Sequence, residues 1–183
     1  MVKQTKKVKK DDLKVFKPNL TPRQIFSMGS FGGTYWREIR HKGKILKNKH
    51  KKYKWGIPEH KLILPWGAYD KHINKYQVKV GATLEAWREK GWIQDQDPYG
   101  WVQWYCQYKA GRRSEDDERQ IKRWLALAGP KGRFRLALIT QITKKGSTWD
   151  NDLISPKIRQ TLQHWGYKLT KKDFDSEKKR RSS

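Results

Sequence analysis

The clearest pattern along the chain is helical and lies in its second half. Trp101, Trp104, Tyr105 and Tyr108 recur at i, i+3, i+4 and i+7, one face of a 3.6-residue period, so a helix is predicted from Asp97-Pro98 to Ala110 with Gly111 as its stop. Ser114 opens the next helix, with Glu115 to Glu118 in its first turn, a buried stripe of Ile121, Trp124, Leu125 and Ala128, and Gly129-Pro130 as its end. A third helix is predicted from about Arg133 to Lys145, presenting Phe134, Leu138 and Ile142. A fourth begins at Ser155-Pro156 and closes at Gly166 after Ile158, Leu162 and Trp165.

The first half is less regular. Thr21-Pro22-Arg23-Gln24 carries the signals of a capped helix start, with Ile25 and Met28 turned inward and Gly29 as the stop. Thr83 caps a short helix that runs to Lys90 and ends at Gly91. Thr34 to Arg40 has strand propensity, Lys42 to Lys54 holds seven Lys and no acid and reads as an exposed basic loop, and residues 55–81 read as irregular. The ends lack an apolar period: residues 1–19, with seven Lys, are expected as a basic arm and residues 171–183 as a flexible basic tail. The expected fold is a single mainly α domain over 20–170, with five to six short helices and a small sheet within 34–80; an α+β arrangement is the alternative.

Composition changes this picture in one respect: the core has to be built from rings. Ten Trp, eight Tyr and five Phe stand against one Cys and two Met, which excludes a disulfide framework and any Cys-based zinc finger. No stretch reaches the ~18–20 consecutive apolar residues of a membrane helix, and the basic N-terminus lacks the apolar run of a signal peptide, so an intracellular protein is expected, with no membrane partner.

Charge is the strongest functional signal. Forty-three Lys plus Arg against 18 Asp plus Glu leave a formal net charge of +25, where a magnitude of ~2–8 suffices to keep a small domain soluble. Such an excess attracts polyanions, of which nucleic acid is the commonest, and points to a nucleus, a viral factory or a virion. Candidate phosphate contacts are Arg37, Lys49, Lys51, Lys52 and Lys54, the pair Arg112-Arg113, and the turn Lys131-Gly132-Arg133, where basic side chains flank a predicted helix N-terminus. That turn reads equally well as a plain helix-to-helix junction.

Cations are also interleaved with rings, as in Tyr35-Trp36-Arg37, Tyr53-Lys54-Trp55, Trp87-Arg88 and Lys90-Gly91-Trp92, a pattern suited to stacking on bases while the backbone is held. Trp36, Trp55 and Trp66, outside strong helices, are the expected base contacts. Trp101, Trp104, Tyr105, Trp124 and Trp165 are expected in the core.

Signals for chemistry are weaker. His41, His50, His60, His72 and His164 match no metal-site spacing, Gly29-Ser30-Phe31-Gly32-Gly33-Thr34 lacks the Gly-Lys-Ser/Thr ending of a nucleotide loop, and no metal or cofactor is expected. Cys106, within the aromatic helix, reads as core. Asp95, Asp97 and Asp117 are the candidate general bases, the first two because flanking rings favour a raised carboxyl pKa. For Asp97, helix capping is the competing explanation.

With these residues in hand, a resemblance appears. The segments Gly29 to Arg37 and Asp97-Pro98-Tyr99-Gly100-Trp101-Val102-Gln103-Trp104-Tyr105-Cys106, followed by Gly111-Arg112-Arg113, Ile154-Ser155-Pro156 and His164-Trp165-Gly166-Tyr167, are similar to a family of small basic, Trp-rich proteins from fungi, algae and large DNA viruses. The resemblance spans about residues 20–170 and implies a eukaryotic or viral setting and a compact domain with charged ends. It implies no particular activity. The expected function is largely sequence-independent nucleic-acid binding. The alternatives are a base-flipping, glycosylase-like enzyme with an Asp general base, and a structural factor of a virion or ribosome.

Overall fold

The computed structural model describes residues 10–65 and 68–182, and helices carry it. Eight α-helices occur among the described residues: α1 (Lys10–Val15), α2 (Pro22–Ser27), α3 (Leu84–Glu89), α4 (Trp101–Lys109), α5 (Asp117–Leu127), α6 (Arg133–Lys144), α7 (Pro156–His164) and α8 (Lys171–Ser182). One antiparallel hairpin joins β1 (Ile39–His41) to β2 (Lys44–Leu46), with Ile39 opposite Leu46 and Lys42-Gly43 at the turn. The fold is mainly α with a small sheet, as the periodicity predicts.

Local signals account for most helix ends. Thr21 accepts from the Gln24 amide while the Gln24 side chain accepts from the Thr21 amide, a reciprocal cap that starts α2. Thr83 does half of this for α3, accepting from the Ala86 amide. α4 starts later than its sequence suggests. Gly100, at φ +85°, breaks the helical path, and its amide closes a turn on the Asp97 carbonyl, so the helix begins at Trp101 and Asp97 caps nothing.

α4 is the axis of the core. Six consecutive residues, Trp101 to Cys106, are buried, so the helix is enclosed on every side and not only along its aromatic face. Rings surround it: Trp36, Trp104, Trp124 and Tyr105 are among the largest fully buried side chains. A buried hydroxyl or indole N–H of such a ring costs free energy unless it meets an acceptor, and among the described residues those of Trp36 and Trp101 meet none while the others named here do. Trp104 donates to Asp117 (2.8 Å), Trp124 to the Trp165 carbonyl (2.7 Å), Tyr105 to the Leu20 carbonyl (2.9 Å) and Tyr35 to the Tyr99 carbonyl (2.7 Å). These bonds tie segments far apart in sequence.

The glycine turn at 29–33 serves packing. A Cβ on Gly29 would lie 2.0 Å from the Ile73 carbonyl oxygen, and one on Gly32 would run into the Tyr69 ring at 2.6 Å, so the chain at 69–73 closes on bare backbone. Ser30, fully buried within this turn, accepts on its carbonyl from Asn74, Gln160 and His164, fastening the turn to α7.

Three expectations need correction. The strand predicted over 34–40 is confined to 39–41, because the backbone at 34–36 follows the glycine turn, with the Thr34 amide closing on the Phe31 carbonyl, and carries Tyr35 and Trp36 into the ring core instead of a ladder. The arm expected over 1–19 is, from residue 10 on, packed. Phe16 lies edge-on to Trp124 (5.2 Å) and Tyr108 (5.6 Å), and the Asn19 amide pairs with the Lys168 backbone in both directions at 2.8 Å. Lys3, Lys6, Lys7 and Lys9 of that arm lie outside the described residues. The flexible tail expected after 170 is α8. Phe174 is 6% exposed, Asp173 pairs with the buried Arg135 of α6 at 2.6 Å, and Arg181 donates to the Thr140 hydroxyl of α6 (2.9 Å), so one ring, one ion pair and one hydrogen bond dock this helix on α6, while Glu177 holds Arg180 and Arg181 within the helix.

Phe174→Ala is therefore expected to cost about 3 kcal/mol in urea denaturation, within the range for truncating a buried Phe. A tail free of the core would give no change.

Candidate nucleic-acid interface

The basic segment 42–54 alternates what it buries and what it displays. His50 is buried, Tyr53 accepts from Gln107 through its hydroxyl (2.9 Å), and Trp55 stacks on Tyr53 (4.5 Å, 6°) and on Phe26 (5.0 Å, 25°). Between these anchors Lys49, Lys51, Lys52 and Lys54 are exposed, as are Lys44 and Lys47, and none of the six has an acidic partner among the described residues. The interleaving of rings and cations thus fixes the loop so that its lysines face solvent. Lys42 and Lys54 both take left-handed backbone (φ +48° each), a conformation that Gly or Asn adopts more readily.

Trp36 and Trp55 are accordingly not the base contacts that the sequence suggests. Trp36 is fully buried beneath Phe26 and Tyr99, and the stacking of Trp55 is internal. Trp66 lies outside the described residues. Arg37 is half-buried and donates to the Pro65 carbonyl.

The other candidate cations divide. Arg112 grips Asp97 with both terminal nitrogens, and the carboxylate is 1% exposed, so Arg112 is an internal counterion. Arg113 is exposed, lying over the Tyr108 ring at 3.9 Å with its guanidinium on two backbone carbonyls. Lys131 and Arg133 are exposed with no acidic partner among the described residues, and Arg133 lies over Phe134 at 4.9 Å. Gly132 has a packing role: its Cβ would come within 2.6 Å of the Leu127 backbone, and its amide already donates to the Gly129 carbonyl (2.8 Å). The junction reading of this turn holds for its backbone, and its side chains remain available.

None of the three candidate general bases is placed for chemistry. Asp95 is exposed on the surface, bonded to Lys42 and His41, and the Lys42 ammonium pulls its carboxyl below the usual range. Burial pushes the Asp97 carboxyl up against the opposing pull of Arg112. Asp117 is saturated by Trp104 and by the hydroxyl and amide of Ser114. Burial raises the Cys106 thiol far above its ordinary value, in keeping with an inert core residue. Among the described residues no three His, Cys, Asp or Glu gather as a metal site requires, and no helix is long and apolar enough to cross a membrane.

The concave feature that sequence reasoning missed is an aromatic groove. A cavity of about 440 Å³ is bounded by Trp87, Trp92, Trp101, Phe134, His164 and Trp165, and adjoins a second of about 320 Å³ across Phe31, Tyr35 and His164. Arg123 of α5 reaches it half-buried, 5.3 Å from the rings of both Trp92 and Trp165, and burial lowers its pKa to about 10. The His164 Nε2 is 2.6 Å from the Ser30 carbonyl, so it carries the proton, and burial drives the pKa of the ring down to about 4. The remaining ring nitrogen, Nδ1, is then an acceptor. Interleaving at Trp87-Arg88 and Lys90-Gly91-Trp92 was a trace of this site in the sequence, but its other walls come from four separate helices.

Comparisons with protein-family models, with curated proteins and with solved structures found no match to this chain.

The neutral His164 makes stability pH-dependent. An unfolded His binds a proton near its ordinary value of 6.5 and the folded one only at about 4, so the folded state loses stability as pH falls through this window. The unfolding free energy from urea denaturation at ~298 K is expected to fall by an amount on the order of 3 kcal/mol between pH 7.5 and 4, with no such loss in His164→Gln.

Proposed function

We propose that the protein binds nucleic acid chiefly through its phosphates, without reading sequence. The observation that carries this is the row of six exposed lysines, Lys44, Lys47, Lys49, Lys51, Lys52 and Lys54, held outward by the rings buried between them and given no internal counterion. Acids elsewhere pair with other cations, buried as in Asp97 on Arg112 or exposed as in Asp175 on Lys171, and these six lysines carry part of the +25 surplus unmatched. Lysines placed on a phosphate backbone release its condensed counterions, a gain in affinity independent of base identity. Arg113, Lys131 and Arg133 extend the displayed charge; Arg112 drops out of the set.

A base-modifying enzyme is the second reading, favoured by the aromatic groove. Asp95, Asp97 and Asp117 do not line that groove, so this reading has no general base among its three candidates. A nucleus or a viral factory suits either reading.

The test is the salt dependence of binding. Replacing Lys49, Lys51, Lys52 and Lys54 together by Gln is expected to weaken binding to a DNA duplex and to lower the slope of log affinity against log salt by about 3 to 4, from ~0.9 per phosphate contact. An unchanged slope would remove this segment from the interface. Lys54→Gly alone is expected to weaken binding while raising stability by about 1 kcal/mol, because glycine accepts the left-handed backbone without strain.

A further inference from the structure

We infer that the groove between α3, α5 and α7 receives a single unstacked nucleobase, gripped between Trp87 and Trp92 with Arg123 and His164 at its edge, so that the protein favours nucleic acid with an unpaired base. This rests on the nucleic-acid reading and adds to it a place where a base, not a phosphate, is bound.

The first argument is the state of the rings. Trp36, Trp55, Trp101, Trp104, Trp124 and Trp165 all pack on other aromatic rings of the protein. Trp87 and Trp92 line the cavity with no ring partner, and neither indole N–H has an acceptor among the described residues. Trp92 is also 38% exposed, one of the few large apolar side chains this core leaves at the surface. Large planar faces beside a cavity offer stacking that a flat heteroaromatic ligand can use.

Size and polarity agree. About 440 Å³ falls within the range of small-molecule pockets, and the polar groups that reach the space are few: indole donors, the guanidinium of Arg123 and the acceptor Nδ1 of His164. Donors and one acceptor around an apolar slot match the edge of a base, which presents both carbonyl or ring-nitrogen acceptors and amino donors.

Charge excludes the main competitor for an aromatic cage, a methylated ammonium. Arg123 already stands 5.3 Å from two of the rings and donates to the neutral side chain of Gln120 (3.1 Å), Lys90 lies over Trp92 at 4.9 Å and Arg133 lies at the rim, and none of the three has an acidic partner among the described residues. A further cation would be repelled. A base attached to a phosphate is attracted at both ends.

Three duplexes of one length separate the possibilities: one with a single unpaired adenine, one with an abasic residue at the same place, and one fully paired. The wild-type protein is expected to bind the unpaired adenine ~5- to 150-fold more tightly than the abasic duplex, the gain of one stacked base. Trp92→Ala should erase this preference and Trp92→Phe retain most of it, both with an unchanged melting temperature because residue 92 is not in the core. The four-lysine variant should weaken all three duplexes alike and keep the preference. Equal affinity for the adenine and abasic duplexes, or a preference that survives Trp92→Ala, would overturn the groove assignment and leave phosphate binding standing. No salt-dependent binding to any duplex would remove both.

Discussion

A core made of Trp and Tyr carries polar atoms into its own interior, and satisfying them is the constraint on which this fold rests. An aliphatic core can be joined by contact alone, whereas each buried indole N–H or phenol must meet an acceptor or lose the full cost of its desolvation. Here the acceptors are mostly backbone carbonyls and one carboxylate on remote segments, Leu20 for Tyr105, Tyr99 for Tyr35, Trp165 for Trp124 and Asp117 for Trp104, while the buried indole N–H groups of Trp36 and Trp101 have none among the described residues and bear that cost. The segment around Leu20 and the irregular stretch before β1 are thereby fastened to α4, and the end of α7 to α5.

The same constraint explains how a chain with so large a charge surplus folds. Acids are few, and where the fold buries a charge it sets an opposite one against it, as with the buried Asp97 against Arg112 and the buried Arg135 against Asp173, since a buried charge without a partner is far costlier than an exposed one. The remaining lysines are left on the surface, where water and salt screen their mutual repulsion. Along the segment 42–54 the buried His50 and the half-buried Tyr53, with Trp55 stacked just beyond, provide the packing that holds six repelling lysines in one ordered loop. Charge display and core formation are thus two faces of one short sequence.

Ring packing also leaves a remainder. Flat, rigid side chains from α3, α4, α6 and α7 meet at angles such as the 50° between Trp101 and Trp165, and space persists where they do not interlock. Arg123 and the neutral His164 border that space, the one stripped of part of its hydration and the other unable to take a second proton at neutral pH. The basic loop addresses charge, and the groove addresses shape and hydrogen bonding.

Helices α2 to α7 were legible in the chain because their determinants are local: the cap at Thr21, the period of Trp101, Trp104, Tyr105 and Tyr108, and the stops at Gly91 and Gly129-Pro130. The surplus of positive charge was equally plain, since it is a sum over residues. The fate of individual rings and acids was not. Tyr35 and Trp36 looked like strand residues, Asp97 like a cap, Trp55 like a base contact and the last thirteen residues like a tail, and each assignment turned on a partner remote in sequence: Tyr99, Arg112, Phe26 and Arg135. Likewise no local pattern announces a groove whose walls come from residues 31 to 165. The sequence by itself determined that the protein is a basic, ring-cored helical domain, because propensity, period and net charge are properties of near neighbours and of totals. Only the tertiary structure decided which rings are buried, which cations are spent and where the open aromatic surface lies, because burial and pairing depend on what the folded chain brings alongside.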